Sequence, residues 1–330
     1  MSISINEICQ LAYRILRKQG LRKEDTDVIV AHVLDAELAG RSSHGFQRIL
    51  GILRNTDTSG TRGHKMVLEQ ENGNSVRVNG GQRLGLVVGQ KALETAVDLS
   101  QEHGLTAVAG YNYLGNTGMI GYYTRQIAAA DRIGIMVSNS PNVIAPWGGT
   151  APLFGTNPIS FAFPTLNDPI VIDLSTTKWA YGDILLALKE GRSLPDNIVL
   201  DAEGNPSNNP ADARGGSMLP FGEHKGYALA LAIELLAGPL VGAKAGPKSP
   251  LGEMGFLIMT IDPAIFGSLA AFKQKASALV GQIKASPTRP NIDEVFYPGE
   301  RGQAKRDANL RRGQVDVPDE VIAELRALDN

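Results

Sequence analysis

Apolar positions keep a helical period at the start of this chain and then change period. Ile8, Leu11, Ala12, Ile15 and Leu16 recur every three or four residues after Ser4 and Glu7, and Gly20 follows. That spacing predicts an amphipathic helix with Ser4 and Glu7 as its capping box. Val28, Val30, Val33 and Leu34 mark a second helix over 24–38, and Ile49, Leu50 and Leu53 a third that begins after His44. Residues 66–70 and 75–78 then read as short strands around an Asn72-Gly73 turn. Beyond them the two patterns alternate. Helices are predicted over 86–99, 121–130, 184–190, 227–236 and most of 263–283, and strands over 106–109, 134–138, 159–163, 170–174 and 256–261. A last helix over 319–328 opens on acids, as the positive end of a helix prefers. Alternation after a helical start predicts an α/β domain wrapped by N-terminal helices, with strand order left open. After Ser286 the chain is rich in Arg, Asp, Gly and Pro and is expected to wrap the surface.

Composition narrows the class. A chain of 330 residues with 43% hydrophobic and 20% charged residues can build a large core. The net charge of −2 leaves no basic surplus to neutralise phosphates, which argues against a general nucleic-acid role. Cys9 stands alone, so no intrachain disulfide forms and a reducing compartment is expected. No apolar run approaches membrane-spanning length and the N-terminus lacks the features of a secretion signal, so the cytoplasm is the expected location, with no membrane partner. The five histidines are scattered without ligand spacing, and no metal site is expected. The G-x-G-x-x-G fingerprint, the P-loop and the G-x-S-x-G elbow are all absent.

Candidate chemistry gathers in a few loops. Residues 41–48 read Arg-Ser-Ser-His-Gly-Phe-Gln-Arg. If a helix begins at Phe46 and Gln47, His44 lies at its mouth and Arg48 one turn on. An imidazole beside a guanidinium fork suits a small acid substrate. The plainer reading makes Ser43 a helix cap, His44 a loop residue and Arg48 a solvated charge. Gly115-Asn116-Thr117-Gly118-Met119-Ile120-Gly121 precedes a helix and could turn backbone N–H groups toward a phosphate, although a purely structural loop has the same composition. Gly155-Thr156-Asn157-Pro158 is a turn before a strand, and Leu174-Ser175-Thr176 closes one. Asp183 reads as the cap of the helix that follows it. His224 and Lys225 put two cation-capable groups at a helix N-terminus, which opposes the helix dipole unless an anion binds there.

Together these segments, with Ala145-Pro146-Trp147-Gly148-Gly149 and Pro298-Gly299-Glu300, resemble the malate/L-lactate dehydrogenase-like oxidoreductases over nearly the whole chain. The resemblance implies a non-Rossmann three-layer α/β/α domain with a mixed sheet, an N-terminal helical region and a C-terminal wrapping segment. It divides the chain into a substrate-side region (1–75), a nicotinamide-binding core (76–285) and a returning segment (286–330), and implies a homodimer. His44 matches the proton donor, Ser43 its neighbour, and Arg48 the substrate-carboxylate anchor, with Thr156 as a second substrate contact. Residues 116–120, Leu174, Ser175, Thr176, Lys178, His224, Lys225, Gly299, Glu300, Arg301 and Lys305 match cofactor-binding positions. Many alcohol-forming members carry histidine where this chain has Asn116, and Asn cannot exchange a proton at neutral pH. Tyr181-Gly182-Asp183 and the run from Met218 to Gly226 are similar to the cyclic-imine reductase branch, in which Ser, His and Asp form a relay. On that basis the expected activity is reduction of pyrroline- or piperideine-2-carboxylate with NADPH, or with NADH. The alternatives are an open-chain 2-hydroxy acid dehydrogenase and a catalytically lapsed, ligand-binding member.

Overall fold

The structure, a computed structural model, describes residues 2–55, 64–247 and 252–329. A short strand, β1 (Ser2–Ser4), leads into three helical segments, α1 (Ile5–Lys18), α2 (Lys23–Leu38) and α3 (Gln47–Asn55). α1 buries Ile8, Leu11, Ala12, Ile15 and Leu16, the positions its spacing marked. The expected capping box does not form. Ser4 makes no side-chain cap because it closes β1, where it pairs with Gln314 from the far end of the chain.

The middle of the chain runs through β2 (Val67–Asn72), β3 (Ser75–Asn79), α4 (Gly85–Glu102), β4 (Leu105–Tyr111), α5 (Gly121–Ala129), β5 (Ile133–Ser138), β6 (Ile159–Phe163), β7 (Ile170–Leu174) and α6 (Tyr181–Lys189). A small sheet of β8 (Val199–Leu200), β9 (Pro206–Ser207) and β10 (Ser217–Met218), with α7 (Asp212–Gly215), comes before α8 (His224–Ala237) and β11 (Phe256–Ile261). The main sheet has the order β2-β3-β4-β11-β5-β6-β7. β3 and β4 are parallel and every other neighbouring pair is antiparallel. The sheet is therefore mixed and not doubly wound, and it begins at Val67, ahead of the boundary expected at residue 75.

Helices α4 and α5 cover one face of the sheet, and α8 covers the other. Central β11 shows why both faces are apolar. Phe256 and Ile258 pack with Val88, Leu93, Tyr123 and Met136 on one side, whereas Leu257 packs with Val137, Ile233 and Ala237 on the other. Period-two alternation puts successive side chains on opposite faces, so a strand buried on both must be apolar throughout.

The C-terminal segment comprises α9 (Leu269–Lys284), α10 (Glu300–Arg312), β12 (Gln314–Asp316) and α11 (Asp319–Asp329). β12 pairs with β1, and Val315, Val317, Val321, Ile322 and Leu325 join the core of α1 and α2. The buried Asp35 carboxylate of α2 takes Arg125 from α5 and Arg306 from α10. The tail thus returns to the N-terminal helices and fixes the loop that follows α2. Among the described residues, no helix is long and apolar enough to cross a membrane.

Candidate active site

The Ser-His-Gly turn is built on a carboxylate. α2 ends at Leu38, and a single 3-10 turn, Ser42–His44, follows. The Arg41 N–H returns to the Ala36 carbonyl at 2.8 Å, and the His44 N–H to the Arg41 carbonyl at 2.8 Å. Beneath the turn, buried Glu37 accepts the Phe46 N–H at 3.0 Å. A side chain at position 45 would collide with that carboxylate, so Gly45 lets the chain close over it. Burial raises the Glu37 pKa, while hydrogen bonds from Ser42 and Phe46 pull it back.

His44 and Arg48 are both drawn out of water. Burial first, and then the charges of Arg48 and Arg41, push the His44 pKa down to about 4. Its imidazole is therefore neutral near pH 7, and its buried Nδ1 has no hydrogen-bond partner. Arg48, in the first turn of α3, is enclosed enough that burial lowers its pKa too, yet a guanidinium stays charged at neutral pH. No described carboxylate pairs with it. A desolvated cation beside a neutral imidazole, neither one satisfied by protein, is an environment ready for an anion that carries a proton to move.

β7 gathers the other motifs at its end. The Asp173 carboxylate accepts the Gly121 N–H at 2.9 Å and so caps α5 from outside that helix. Water reaches part of Asp173, but protein rings its carboxylate. Desolvation raises its pKa to about 6, against the Gly121 hydrogen bond and the charge of Arg41. Thr176 donates both its N–H and its hydroxyl to the Thr156 carbonyl, each at 2.9 Å. Phe221 donates its N–H to the Thr176 carbonyl at 3.0 Å, and Lys178 to Leu219 at 2.8 Å. Thr156 is itself held by Ser140, which accepts its N–H at 2.9 Å. Residues 156, 174–178 and 219–225, widely separated in sequence, thereby lie side by side. Gly299 at the head of α10 presses on the Val171 carbonyl from the other side.

The 115–121 loop differs from the phosphate cradle its glycines suggest. The Gly118 N–H bonds Asn116 Oδ1 at 3.1 Å, the Met119 N–H bonds His32 Nε2 at 2.9 Å, and the Gly121 N–H bonds Asp173. These donors are already used, and Asp173 places negative charge where a phosphate would sit. The N-terminus of α8 has Glu223 at its N-cap position, exposed to solvent. It has no side-chain cap, and His224 and Lys225 are exposed in its first turn. No atom lies close to where a side chain at Gly115 would be, and Leu174 is exposed at the end of β7.

Other expected residues lie differently. Gly182 packs on Ser43 so closely that a Cβ there would come within 2.5 Å of the Ser43 Cβ, which sets the start of α6 against the turn. Asp183 lies in that first turn at the surface, and no hydrogen bond joins it to Ser43 or His44. Glu300 bonds the Tyr297 N–H and pairs with Lys284. Arg301 stacks on Phe296, its guanidinium carbon 4.2 Å from the ring centre, and Lys305 lies against Gly40. His32, Glu37 and Asp173 were not among the expected site residues. Their signal is a polar side chain inside an apolar helical or strand pattern, which sequence reading discounts.

A model of the malate/L-lactate dehydrogenase family matches residues 3–326. The malate/(S)-sulfolactate dehydrogenase of Methanothermus fervidus is 33% identical, over 99% of this chain and 97% of its own length. The (2R)-3-sulfolactate dehydrogenase (NADP(+)) of Chromohalobacter salexigens is 34% identical, over 98% of this chain and 97% of its own. Among solved structures, the delta1-piperideine-2-carboxylate reductase of Pseudomonas syringae pvar. tomato superposes with a TM-score of 0.89 at 28% identity, covering 99% of both chains.

Proposed function

The chain belongs to the malate/L-lactate dehydrogenase family, and from that membership we propose that this oxidoreductase interconverts a small 2-hydroxy acid and its 2-oxo acid with a nicotinamide cofactor. One observation carries the reading: His44 ends the 3-10 turn and Arg48 lies in the first turn of α3, close enough that its charge acts on the imidazole; both are desolvated, and neither is satisfied by protein. Arg48 grips the substrate carboxylate, with the Thr156 hydroxyl as a second contact. The cofactor, when bound, carries the hydride. His44 is neutral and so can take the hydroxyl proton in oxidation and return it to the carbonyl oxygen in reduction. A carboxylate on Arg48 cancels one of the charges that press on His44, so proton affinity rises as substrate arrives. Gly182, at the start of α6, packs on Ser43 and braces the turn. Asn116 cannot exchange a proton, which concentrates this chemistry on His44.

Residues 116–120 and Leu174, Ser175 and Thr176 are assigned to the nicotinamide-ribose end of the cofactor, since Asp173 disfavours a phosphate there. His224 and Lys225 at the head of α8 take the phosphates. Gly299 and Glu300 shape the wall beside β7. Lys178 and Arg301 have no carboxylate partner among the described residues, which supports NADPH over NADH. Arg306 is spent on Asp35, whereas Lys305, which lies against Gly40, likewise has no carboxylate partner among the described residues.

The second reading, reduction of a cyclic imine acid, draws on the packing of Gly182 against Ser43, which brings the Asp183 turn to the site, and on the likeness to the piperideine-2-carboxylate reductase. Initial rates with oxaloacetate, pyruvate and sulfopyruvate beside pyrroline- and piperideine-2-carboxylate separate the two. Preference for the open-chain acids is expected, and preference for the imines would replace the first reading by the second. Nucleotide binding without turnover of either would mark a lapsed enzyme. The expected homodimer is assigned to the exposed apolar stripe of α8, where Leu231 and Leu235 face solvent.

A further inference from the structure

His32 lies between the two halves of the candidate site. It sits in α2 with no exposed surface, and its Nε2 accepts the Met119 N–H at 2.9 Å. A ring nitrogen that accepts a hydrogen bond carries no proton, so the proton of the neutral ring is on Nδ1. Nδ1 is buried without a partner. The ring thus uses its acceptor on the loop and leaves its donor unpaired, which is the reverse of what packing alone would select. Its centroid lies 4.4 Å from that of Tyr122 and 5.3 Å from that of Tyr123, the residues that open α5 after the loop. Gly118 has φ +72°, and a Cβ there would come within 2.4 Å of His32 Nε2. The loop closes on the imidazole because position 118 has no side chain. Burial above all holds the ring neutral, and the charges of Arg48 and Arg125 act in the same direction.

The Gly118 and Gly121 N–H groups are held from within the loop and from β7, whereas Met119 reaches across to α2. α2 is also the helix that delivers the Ser-His-Gly turn. We propose that His32 is a positioning residue that sets the 116–120 loop for the cofactor through its unprotonated Nε2, tying that loop to the helix that carries His44. The proposal rests on the reading of this loop as cofactor-binding.

Two substitutions separate a hydrogen-bond acceptor from a space-filling ring. In His32→Gln the amide oxygen can take over from Nε2, although the side chain packs less well on the tyrosines. His32→Phe keeps the ring and loses the acceptor. Fluorescence titration of the full chain with NADPH and NADH is expected to show affinity about 10-fold weaker for His32→Phe and within about 3-fold of wild type for His32→Gln. The cofactor KM should follow the same order while kcat moves less. A packing role predicts the opposite order, so binding by His32→Phe that equals wild type or exceeds that of His32→Gln overturns the proposal. Nitrogen NMR of histidine-labelled wild type gives a reading that needs no variant to fold. It should find His32 protonated on Nδ1, and a proton on Nε2 would also overturn it. Wild-type protein that binds neither nucleotide would defeat the cofactor reading itself, an outcome distinct from wild-type binding with unaffected variants.

Discussion

At the scale of single residues, the account turns on what surrounds His44. Burial and the charges of Arg48 and Arg41 hold its pKa at about 4, below the ordinary 6.5. A general base must be unprotonated, so kcat/KM for hydroxy-acid oxidation should stay level from neutral pH to about 5 and fall as pH drops through about 4. The same shift lowers stability as pH falls from 6.5 towards 4, because the unfolded chain takes up the proton first. Arg48→Met should raise the substrate KM at least 100-fold, a loss of about 3 kcal/mol for a charged hydrogen-bonded contact, and move the acid limb upward. A pH–rate profile of both proteins checks the two effects together. Asp173 has the opposite sign. Its pKa is raised to about 6 from 3.8, so its contribution weakens as pH rises between those values, and Asp173→Asn should gain stability relative to wild type over that window and no further above it. Urea titrations at several pH values would show it. Ser43, His44 and Arg48 were legible because six adjacent residues carry them. His32 and Asp173 were not, because their partners Met119 and Gly121 lie 87 and 52 residues away and only the fold brings them together.

At the scale of elements, α2 is held at its end by charge. Buried Asp35 receives Arg125 from α5 and Arg306 from α10, so three helices meet at one carboxylate. Removing a partner from a buried pair leaves an uncompensated charge, and Asp35→Ala should cost about 3–5 kcal/mol. Combining it with Arg306→Met should cost less than the sum of the single changes, as chemical denaturation of the four proteins would reveal. Most helices and the main strands were legible from period alone, the strands within two residues at their ends, whereas α4 ends and α6 and α8 begin three residues beyond the expected bounds. α10 was not, since Glu300 to Arg312 carries many charges and buries only Asn309 fully. It is helical because it docks on α2, not because it has an apolar face. The β1–β12 pair was hidden for a related reason: two three-residue strands have too little pattern to register, and their partners stand at opposite ends of the chain.

At the scale of the whole molecule, the mixed sheet brings loops from distant parts of the chain to the end of β7, and the returning tail closes the N-terminal helices over them. Strand order could not be read because antiparallel neighbours such as β4 and β11 are far apart in sequence. The outer face of α8 exposes Leu231 and Leu235, and the proposed homodimer covers it. Leu231→Glu with Leu235→Glu should shift the mass seen by light scattering from dimer to monomer, whereas wild-type protein that is already monomeric would remove that assignment. The central claim, that His44 moves the proton while other residues hold the cofactor, is tested most directly by comparing His44→Ala with wild type in one experiment: nucleotide titration followed by turnover of the best 2-oxo acid. The predicted result is an unchanged nucleotide Kd with kcat lowered by at least about 100-fold. A variant that keeps most of its turnover would contradict the account.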